Sequence, residues 1–251
     1  MKVFEQHGFE VRFGWGPNGL RTLAPLVEAV VIVDVLSFST AVDVALDRGV
    51  VVFPYRWHNG TEFAFAASVG AEVAAKEPGD GWSLRPSSLV EAPAGLRLLL
   101  PSPNGSALAF GASDAGASTT IVGCVRNAEA VARSLDDAES VAVIAAGERW
   151  RGTVGPLRPA IEDQLGAGRI VRALGRSSVS PEARTAVQTA DVADDELAWL
   201  ISESASGREL RSRGFAGDVR LAVDADCSAV VPKLDGQQLI DAHSATDPSA
   251  A

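Results

Sequence analysis

Cysteine, histidine and positive charge are all scarce in this 251-residue sequence. The two cysteines, Cys124 and Cys227, form no CxxC pair, so a disulfide framework is not expected. The three histidines, His7, His58 and His243, have neither HxxxH nor HEXXH spacing, which disfavours a zinc hydrolase. A reducing cytoplasm is the simplest compartment for such a chain.

Long hydrophobic runs are also missing. No apolar stretch approaches the length of a membrane span, and the N-terminus has no basic segment followed by an apolar run. The net charge of -10 repels nucleic-acid phosphates and anionic lipids. We therefore expect a cytoplasmic protein with neither a nucleic-acid nor a membrane partner. Any phosphate-bearing ligand has to be held by local donors or by a cation.

Two common catalytic signatures are absent as well. The sequence has no GxSxG nucleophile elbow and no GxxxxGK[ST] phosphate loop, which argues against an α/β-hydrolase and a P-loop nucleotide hydrolase. Asp34-Val35-Leu36 also differs from the DxD pattern of haloacid-dehalogenase-type phosphatases.

The composition is globular, with 47% hydrophobic and 22% charged residues. Short apolar runs alternate with turns and helical patterns, which is typical of αβ units. This alternation predicts an α/β fold, with helices layered around a largely parallel or mixed β-sheet. We expect one module over residues 1–244, built singly or as two intertwined subdomains, and a disordered tail over residues 245–251.

The predicted strands cover residues 30–33, 50–53, 96–100, 120–122 and 141–145, and the predicted helices cover 39–48, 128–135, 161–174 and 180–213. Residues 147–160 are expected to be a long Gly- and Arg-rich connection. Residues 218–234 are expected to contain two short strand-like pieces.

Polar clusters follow several predicted strands, where ligands of open α/β sheets bind. Asp34 ends a buried strand, so its carboxylate is a candidate metal ligand or nucleophile. Capping of the helix that Ser39 and Thr40 open is an ordinary alternative.

Two later loops are candidate anion sites because each precedes a helix, whose first N–H groups are free. One contains Asn104, Gly105 and Ser106. The other contains Arg126 and Asn127, and Arg126 could grip a phosphate or sulfonate with two hydrogen bonds. Ordinary helix caps would produce the same sequences.

Acidic residues also open a helix at Glu162 and Asp163. Together with Asp34 they could supply the oxygen ligands that Mg²⁺ prefers, although acids in a first helical turn are favoured by the helix dipole alone. Arg158 lies just before this pair and could neutralise charge on a phosphoryl group.

Taken together, these segments resemble the 2-phosphosulfolactate phosphatase family. The resemblance spans about residues 30–234 and is carried by these motifs: Asp34-Val35-Leu36 with Ser39-Thr40, Asn104-Gly105-Ser106, Arg126-Asn127-Ala128, Ala146-Gly147, Glu162-Asp163, Gly166-Ala167-Gly168 and Val231-Pro232. It implies Mg²⁺-dependent hydrolysis of a phosphate monoester on a sulfonated three-carbon acid, a step that feeds coenzyme M synthesis.

The sequence departs from the family pattern at three places. Ser37 and Phe38 stand where an arginine and a small residue are usual. The Gly-Glu-Arg segment is interpreted as degraded to Lys76-Glu77-Pro78, and the Gly-Asn-Ser-Pro segment as degraded to residues 84–87. Losing arginines weakens the binding of a doubly anionic substrate.

The leading hypothesis is a phosphatase in which Asp34, Glu162 and Asp163 organise Mg²⁺ around a small anionic phosphate ester. The expected substrate-binding residues are Ser39, Thr40, Asn104, Gly105, Ser106, Arg126, Asn127 and Arg158. A non-catalytic protein that binds a small phosphorylated or sulfonated metabolite is the alternative. A homodimer is also expected for an α/β protein of this size.

Overall fold

The computed structural model describes residues 2–56, 60–76, 79, 81–151, 154–192 and 194–243. The predicted disordered tail at residues 245–251 lies outside the described residues, as do Glu77 and Pro78 of the predicted degraded motif.

The strands are β1 Val11–Trp15, β2 Ala29–Val33, β3 Val51–Tyr55, β4 Glu72–Val73, β5 Arg97–Pro101, β6 Thr119–Gly123, β7 Val141–Ala145, β8 Glu148–Arg151, β9 Val154–Arg158, β10 Pro232–Asp235 and β11 Gln238–Asp241. The described residues form one nine-stranded sheet in the order β1-β7-β2-β6-β10-β11-β3-β5-β4, together with a separate β8-β9 hairpin.

The α-helices are α1 Gly16–Leu23, α2 Phe38–Asp47, α3 Glu62–Val69, α4 Pro86–Leu89, α5 Gly105–Phe110, α6 Ala128–Arg133, α7 Ile161–Ala173, α8 Pro181–Val192, α9 Leu197–Glu203, α10 Ala205–Ser212 and α11 Ala216–Ala222. Short 3-10 helices cover Lys2–Glu5, Ala24–Leu26 and Asp194–Glu196.

The large sheet consists of two parallel halves joined by an antiparallel hairpin. Strands β1, β7, β2 and β6 pair in parallel, as do β3, β5 and β4. The β10-β11 hairpin pairs antiparallel with β6 on one side and with β3 on the other. The predicted α/β class with a largely parallel or mixed sheet is therefore confirmed.

Strand β2 lies between β6 and β7, and its side chains are buried on both faces. Val31 and Val33 pack into a core that includes residues of α7, whereas Val30 and Ile32 pack into a core that includes residues of α1. Successive side chains of a strand point to opposite faces, so a continuous β-branched run suits a strand that is covered by helices on both sides.

The predicted strands at residues 30–33, 50–53, 96–100, 120–122 and 141–145 all form, with ends shifted by at most two residues. The helices predicted at 39–48, 128–135 and 161–174 also form, and residues 180–213 contain α8, α9 and α10.

Three expectations were wrong or incomplete. The connection at residues 147–160 contains the β8-β9 hairpin, and residues 218–234 contain most of α11 and most of β10 rather than two strands. Strands β1, β4 and β11 and helices α1, α3 and α4 were not predicted. In α11 the buried residues Asp218, Val219 and Ala222 lie on one helical face, and this spacing of three to four residues was overlooked.

A glycine pattern of the GxGxxG type, Gly14-Trp15-Gly16-Pro17-Asn18-Gly19, lies where β1 meets α1. A Cβ atom on Gly19 would lie 2.9 Å from the Gly14 carbonyl carbon, so these two glycines allow the strand and the helix to pack closely. The Leu157 side chain would lie 3.2 Å from a Cβ on Gly16. Close packing therefore accounts for this pattern without a bound dinucleotide.

Within the described ranges, no helix is both long enough and apolar enough to cross a membrane. The expected cytoplasmic location stays a prediction.

Candidate active site

Asp34 follows β2 directly and is 4% exposed. Its Oδ2 accepts a hydrogen bond from the backbone N–H of Gly105 at 2.7 Å, and its own N–H donates to Ser39 Oγ at 2.9 Å. The loops after β2 and β5 therefore meet at this carboxylate, although the two strands are not neighbours in the sheet.

Gly105 is required by this contact. A Cβ atom there would lie 2.6 Å from Asp34 Cβ and 2.6 Å from Phe38 Cδ1. Both distances are too short for carbon atoms, so any side chain at position 105 would push the two loops apart. The structure thus places the predicted residues Asp34 and Gly105 in direct contact.

Asp163, at the start of α7, is also buried, but both of its carboxylate oxygens are used by the main chain. Oδ1 accepts from the Val35 N–H at 2.7 Å and Oδ2 accepts from the Gly147 N–H at 2.8 Å. Asp163 therefore holds the loops after β2 and β7 together. It is part of the predicted cluster, but its contacts are those of a positioning residue.

Glu162 is 1% exposed, and its Oε2 has no hydrogen-bond partner among the described residues. Leaving a buried carboxylate oxygen unsatisfied is costly, because the atom has lost its water. A cation or a ligand donor at this atom would remove that cost.

Glu148 belongs to the same region and was missed by the sequence reasoning. It opens β8, contacts Asn104 Nδ2 through its Oε1, and accepts from the Arg149 N–H at 3.2 Å. Glu148 directly follows Ala146-Gly147, one of the segments that carry the resemblance, so its place at the end of β7 was the available signal. The predicted degradation of the Gly-Glu-Arg segment to Lys76-Glu77-Pro78 stays a prediction.

Burial and mutual repulsion act on these acids, which we call the acidic cluster: Asp34, Glu148, Glu162 and Asp163. Burial raises the pKa of Asp34 to about 7, with a further increase from the charges of Glu148 and Glu162, while the N–H groups of Gly105 and Phe38 oppose it. Such a shift indicates an arrangement that disfavours ionisation unless positive charge is nearby.

The pKa values of Asp163 and Glu148, two further members of the acidic cluster, are also raised. Burial, followed by the charges of Asp34 and Glu162, raises the pKa of Asp163 well above its usual value. Burial also raises the pKa of Glu148, whereas the positive charge of Arg158 lowers it. The acidic cluster thus holds more negative charge than its surroundings balance.

A cleft of about 230 Å³ opens at the acidic cluster. Its lining comprises Asp34, Leu36, Ser37, Leu84, Ser102, Pro103, Asn104, Glu148, Ser206, Glu209, Leu210 and Arg213. Asp34, Asn104 and Glu148 thus reach the cleft from the loop after β2, the loop after β5 and the start of β8. Helix α10 supplies Ser206 and Glu209 on the opposite side, and Arg213 follows it.

Arg158 ends β9 near this cleft. Its Nη2 donates to Ser206 Oγ at 2.9 Å, and its charge acts on Glu148. Arg213 lines the cleft itself, with its Nη1 3.8 Å from Glu209 Oε1. Only Arg158 of these two cations was predicted, since nothing in the local sequence connects Arg213 to the strand ends.

The structure does not bring Arg126 and Asn127 to the cleft. Arg126 Nε donates to Asp43 Oδ2 at 2.7 Å and its Nη1 donates to the Leu221 carbonyl at 3.1 Å. The Asn127 amide accepts from the Cys124 N–H and donates to the Val230 carbonyl. Their side chains therefore bind other parts of the protein rather than the predicted anion.

Three predicted hydroxyl groups also serve the main chain. Thr40 Oγ1 donates to the Val35 carbonyl at 2.7 Å, and Ser39 Oγ holds the Asp34 N–H. Ser106 Oγ donates to the Leu100 carbonyl and accepts from the Tyr55 N–H at 2.8 Å. These bonds shape the loops around the cleft.

The predicted magnesium ligands fit only in part. Within the part of the chain that the structure describes, no group of three or more His, Cys, Asp or Glu side chains is arranged to hold a metal ion by itself. Glu162 Oε2 and Asn104 Oδ1 are buried oxygens without partners, and Asp34 faces the cleft. Such donors suit Mg²⁺, which commonly keeps waters and substrate oxygens besides one or two carboxylates.

Comparison with known proteins identifies the family of this chain. No curated protein matches the sequence significantly. A family model described as 2-phosphosulpholactate phosphatase matches residues 20–237, which is most of the chain and includes every residue of the acidic cluster. The chain therefore belongs to the 2-phosphosulpholactate phosphatase family, a family of phosphoric monoester hydrolases.

Proposed function

We propose that this chain is a Mg²⁺-dependent phosphatase that hydrolyses a small anionic phosphate monoester in the cleft at Asp34. The observation that carries this proposal is the acidic cluster at the carboxyl ends of β2 and β7. Its buried carboxylates repel one another, and a divalent cation would relieve that repulsion.

The chain's residues divide into two groups of roles. Asp34 and Glu162 would hold Mg²⁺, while Asp163 and Gly105 fix the loops that carry them. When bound, Mg²⁺ supplies charge neutralisation at the phosphoryl oxygens. Arg213 faces the same cleft and would bind a phosphoryl oxygen.

Asn104 completes this arrangement. It is 7% exposed, its Nδ2 is held by Glu148, and its Oδ1 is left without a partner among the described residues. The Glu148 contact orients the amide, so the free oxygen is available to a donor on the substrate or to the cation.

The non-catalytic alternative was based on Ser37, Phe38 and the missing Gly-Glu-Arg motif. Phe38 is a fully buried core residue. Ser37 and Leu84, which belong to two of the departures, line the cleft. The acidic cluster in the same region favours catalysis.

Phosphate release from a panel of phosphate monoesters that includes 2-phosphosulfolactate tests the proposal, with Mg²⁺ and with EDTA. We expect turnover that requires Mg²⁺ and that falls at least 100-fold in Asp34→Asn. Asp47→Asn is the matched control, because Asp47 is an exposed residue of α2 away from the cleft. Turnover that is equal in EDTA, or near-normal turnover of Asp34→Asn, would contradict the proposed role of Mg²⁺ and Asp34.

A further inference from the structure

A second cavity of about 240 Å³ lies beside the cleft at Asp34. Its walls come from α1, from α5 with the segment that follows it, and from the loops after β5 and β7. The lining residues are Pro17, Leu20, Arg21, Pro103, Asn104, Ala107, Leu108, Gly111, Asp114, Ala115, Ala146 and Arg149.

The two cavities meet at Pro103 and Asn104, which line both. The buried Asn104 carries a carbonyl oxygen without a partner among the described residues. A hydrogen-bond donor on a ligand at this position would satisfy the oxygen. A single ligand that extends from the cleft into the second cavity would pass this atom.

The two cavities differ in the side chains that they present. The cleft contains the carboxylates of Asp34 and Glu148. The second cavity offers carbon surface from Leu20, Ala107 and Leu108, and the charged residues Arg21, Asp114 and Arg149 also line it. Ligand sites combine such apolar walls with a few polar groups that fix orientation. The volume suits one substituent of a ligand rather than a whole cofactor.

We propose that this second cavity, here called the apolar subsite, binds an apolar alkyl or aryl substituent of the phosphate ester. The substrate class is then a phosphate monoester with a hydrocarbon part, not only a compact doubly anionic ester. This inference rests on the proposed phosphatase function and assigns its specificity to residues outside the acidic cluster.

A series of alkyl phosphates tests the apolar subsite. We expect kcat/KM to rise about fourfold for each added methylene from methyl through propyl to hexyl phosphate, until the cavity is filled. Ala107→Leu fills the subsite from α5 and should bring the hexyl-to-methyl ratio close to one. Ala67→Leu, at an exposed position of α3, should keep the wild-type ratio.

Binding of methylphosphonate and hexylphosphonate, measured by thermal shift, separates this inference from the proposed function. If no ester is hydrolysed but hexylphosphonate stabilises the protein more than methylphosphonate, the subsite stands and the phosphatase function fails. If esters are hydrolysed with a flat chain-length series, the subsite is overturned and the function stands. The chain-length series of the wild-type protein tests the apolar subsite even if Ala107→Leu does not fold.

Discussion

At the scale of single residues, the ionisation of Asp34 is the property with the clearest consequence. Burial raises the pKa of this carboxyl to about 7, and the charges of Glu148 and Glu162 add to the shift. The folded protein therefore holds a proton on Asp34 at pH values where the unfolded chain, with an ordinary aspartate, has lost it.

This shift predicts how stability changes with pH. Because the folded pKa lies above the unfolded value, Asp34 lowers the free energy of unfolding as pH rises from about 4 to about 7, by up to about 4 kcal/mol. Asp34→Asn has no ionisable carboxyl at this position, so its free energy of unfolding should not fall for this reason. The stability gained by the variant over the wild type, measured by urea unfolding in EDTA, should therefore grow over this range and level off above it.

Asp47→Asn, the same substitution at an exposed position of α2, is again the matched control. Mg²⁺ should reduce the wild-type loss because it favours the ionised cluster. A constant difference between Asp34→Asn and the wild type at every pH would show that burial does not shift this group.

Gly105 gives a second prediction at this scale. Gly105→Ala places a Cβ 2.6 Å from both Asp34 Cβ and Phe38 Cδ1, so we expect a loss of about 1–3 kcal/mol in unfolding free energy and at least tenfold lower kcat. Gly217→Ala is the control, because the nearest atom to its new Cβ lies 3.8 Å away. Thermal unfolding and phosphate release measure the two effects, and equal behaviour of both variants would contradict the close packing at Gly105.

At the scale of elements, the ion pair between Arg126 and Asp43 connects α2 to the loop after β6. Asp43 is fully buried, and Arg126 also donates to the last turn of α11 through the Leu221 carbonyl. Removing one partner of a buried pair leaves a charge without compensation, which costs more than removing both.

Arg126→Met should therefore lower the unfolding free energy by about 3–5 kcal/mol. In the double variant Asp43→Asn/Arg126→Met, the loss should be smaller than in Arg126→Met alone. Denaturant unfolding of both variants and of Asp43→Asn measures this. If Arg126→Met instead keeps its stability and raises KM, then the originally predicted anion-binding role of Arg126 is correct.

The β8-β9 hairpin is one of the elements that the sequence did not predict. Its two ends, Glu148 and Arg158, pair in register and both lie near the cleft. Glycine at 152 and 155 and proline at 156 made this segment read as a loop, because these residues are depleted in strands.

At the scale of the whole molecule, the β10-β11 hairpin joins the two parallel halves of the sheet. Leu239 on β11 is fully buried and pairs in register with Val52 of β3, while Lys233 on β10 pairs with Ile121 of β6. The C-terminal part of the chain thus closes a gap between strands that come much earlier in sequence.

Leu239→Ala should lower the unfolding free energy by about 2–5 kcal/mol, because it opens a cavity where the two halves meet. Ile240→Ala, which changes the half-buried neighbour on the same strand, should cost less. Urea unfolding measures both. An equal or smaller loss in Leu239→Ala would argue that the hairpin does not couple the halves.

Local sequence patterns were enough to predict the class of fold and five strands of the large sheet. The residues from Val30 to Val33 are all apolar and β-branched, which favours a strand with both faces buried. This strand could therefore be predicted from its own residues. Asp34, Asn104 and Glu162 were found for the same reason, because each lies next to a recognisable strand or helix end.

Which of these polar residues share one site depends on tertiary packing. Asp163 and Ser106 bind main-chain groups, Arg126 binds Asp43, and Glu148 and Arg213 reach the cleft from distant segments. Local sequence patterns indicate which secondary structure a short segment of the chain favours. A contact between residues far apart in the sequence, such as the ion pair of Asp43 with Arg126, depends on how the packed layers place them, and the fold as a whole determines that placement.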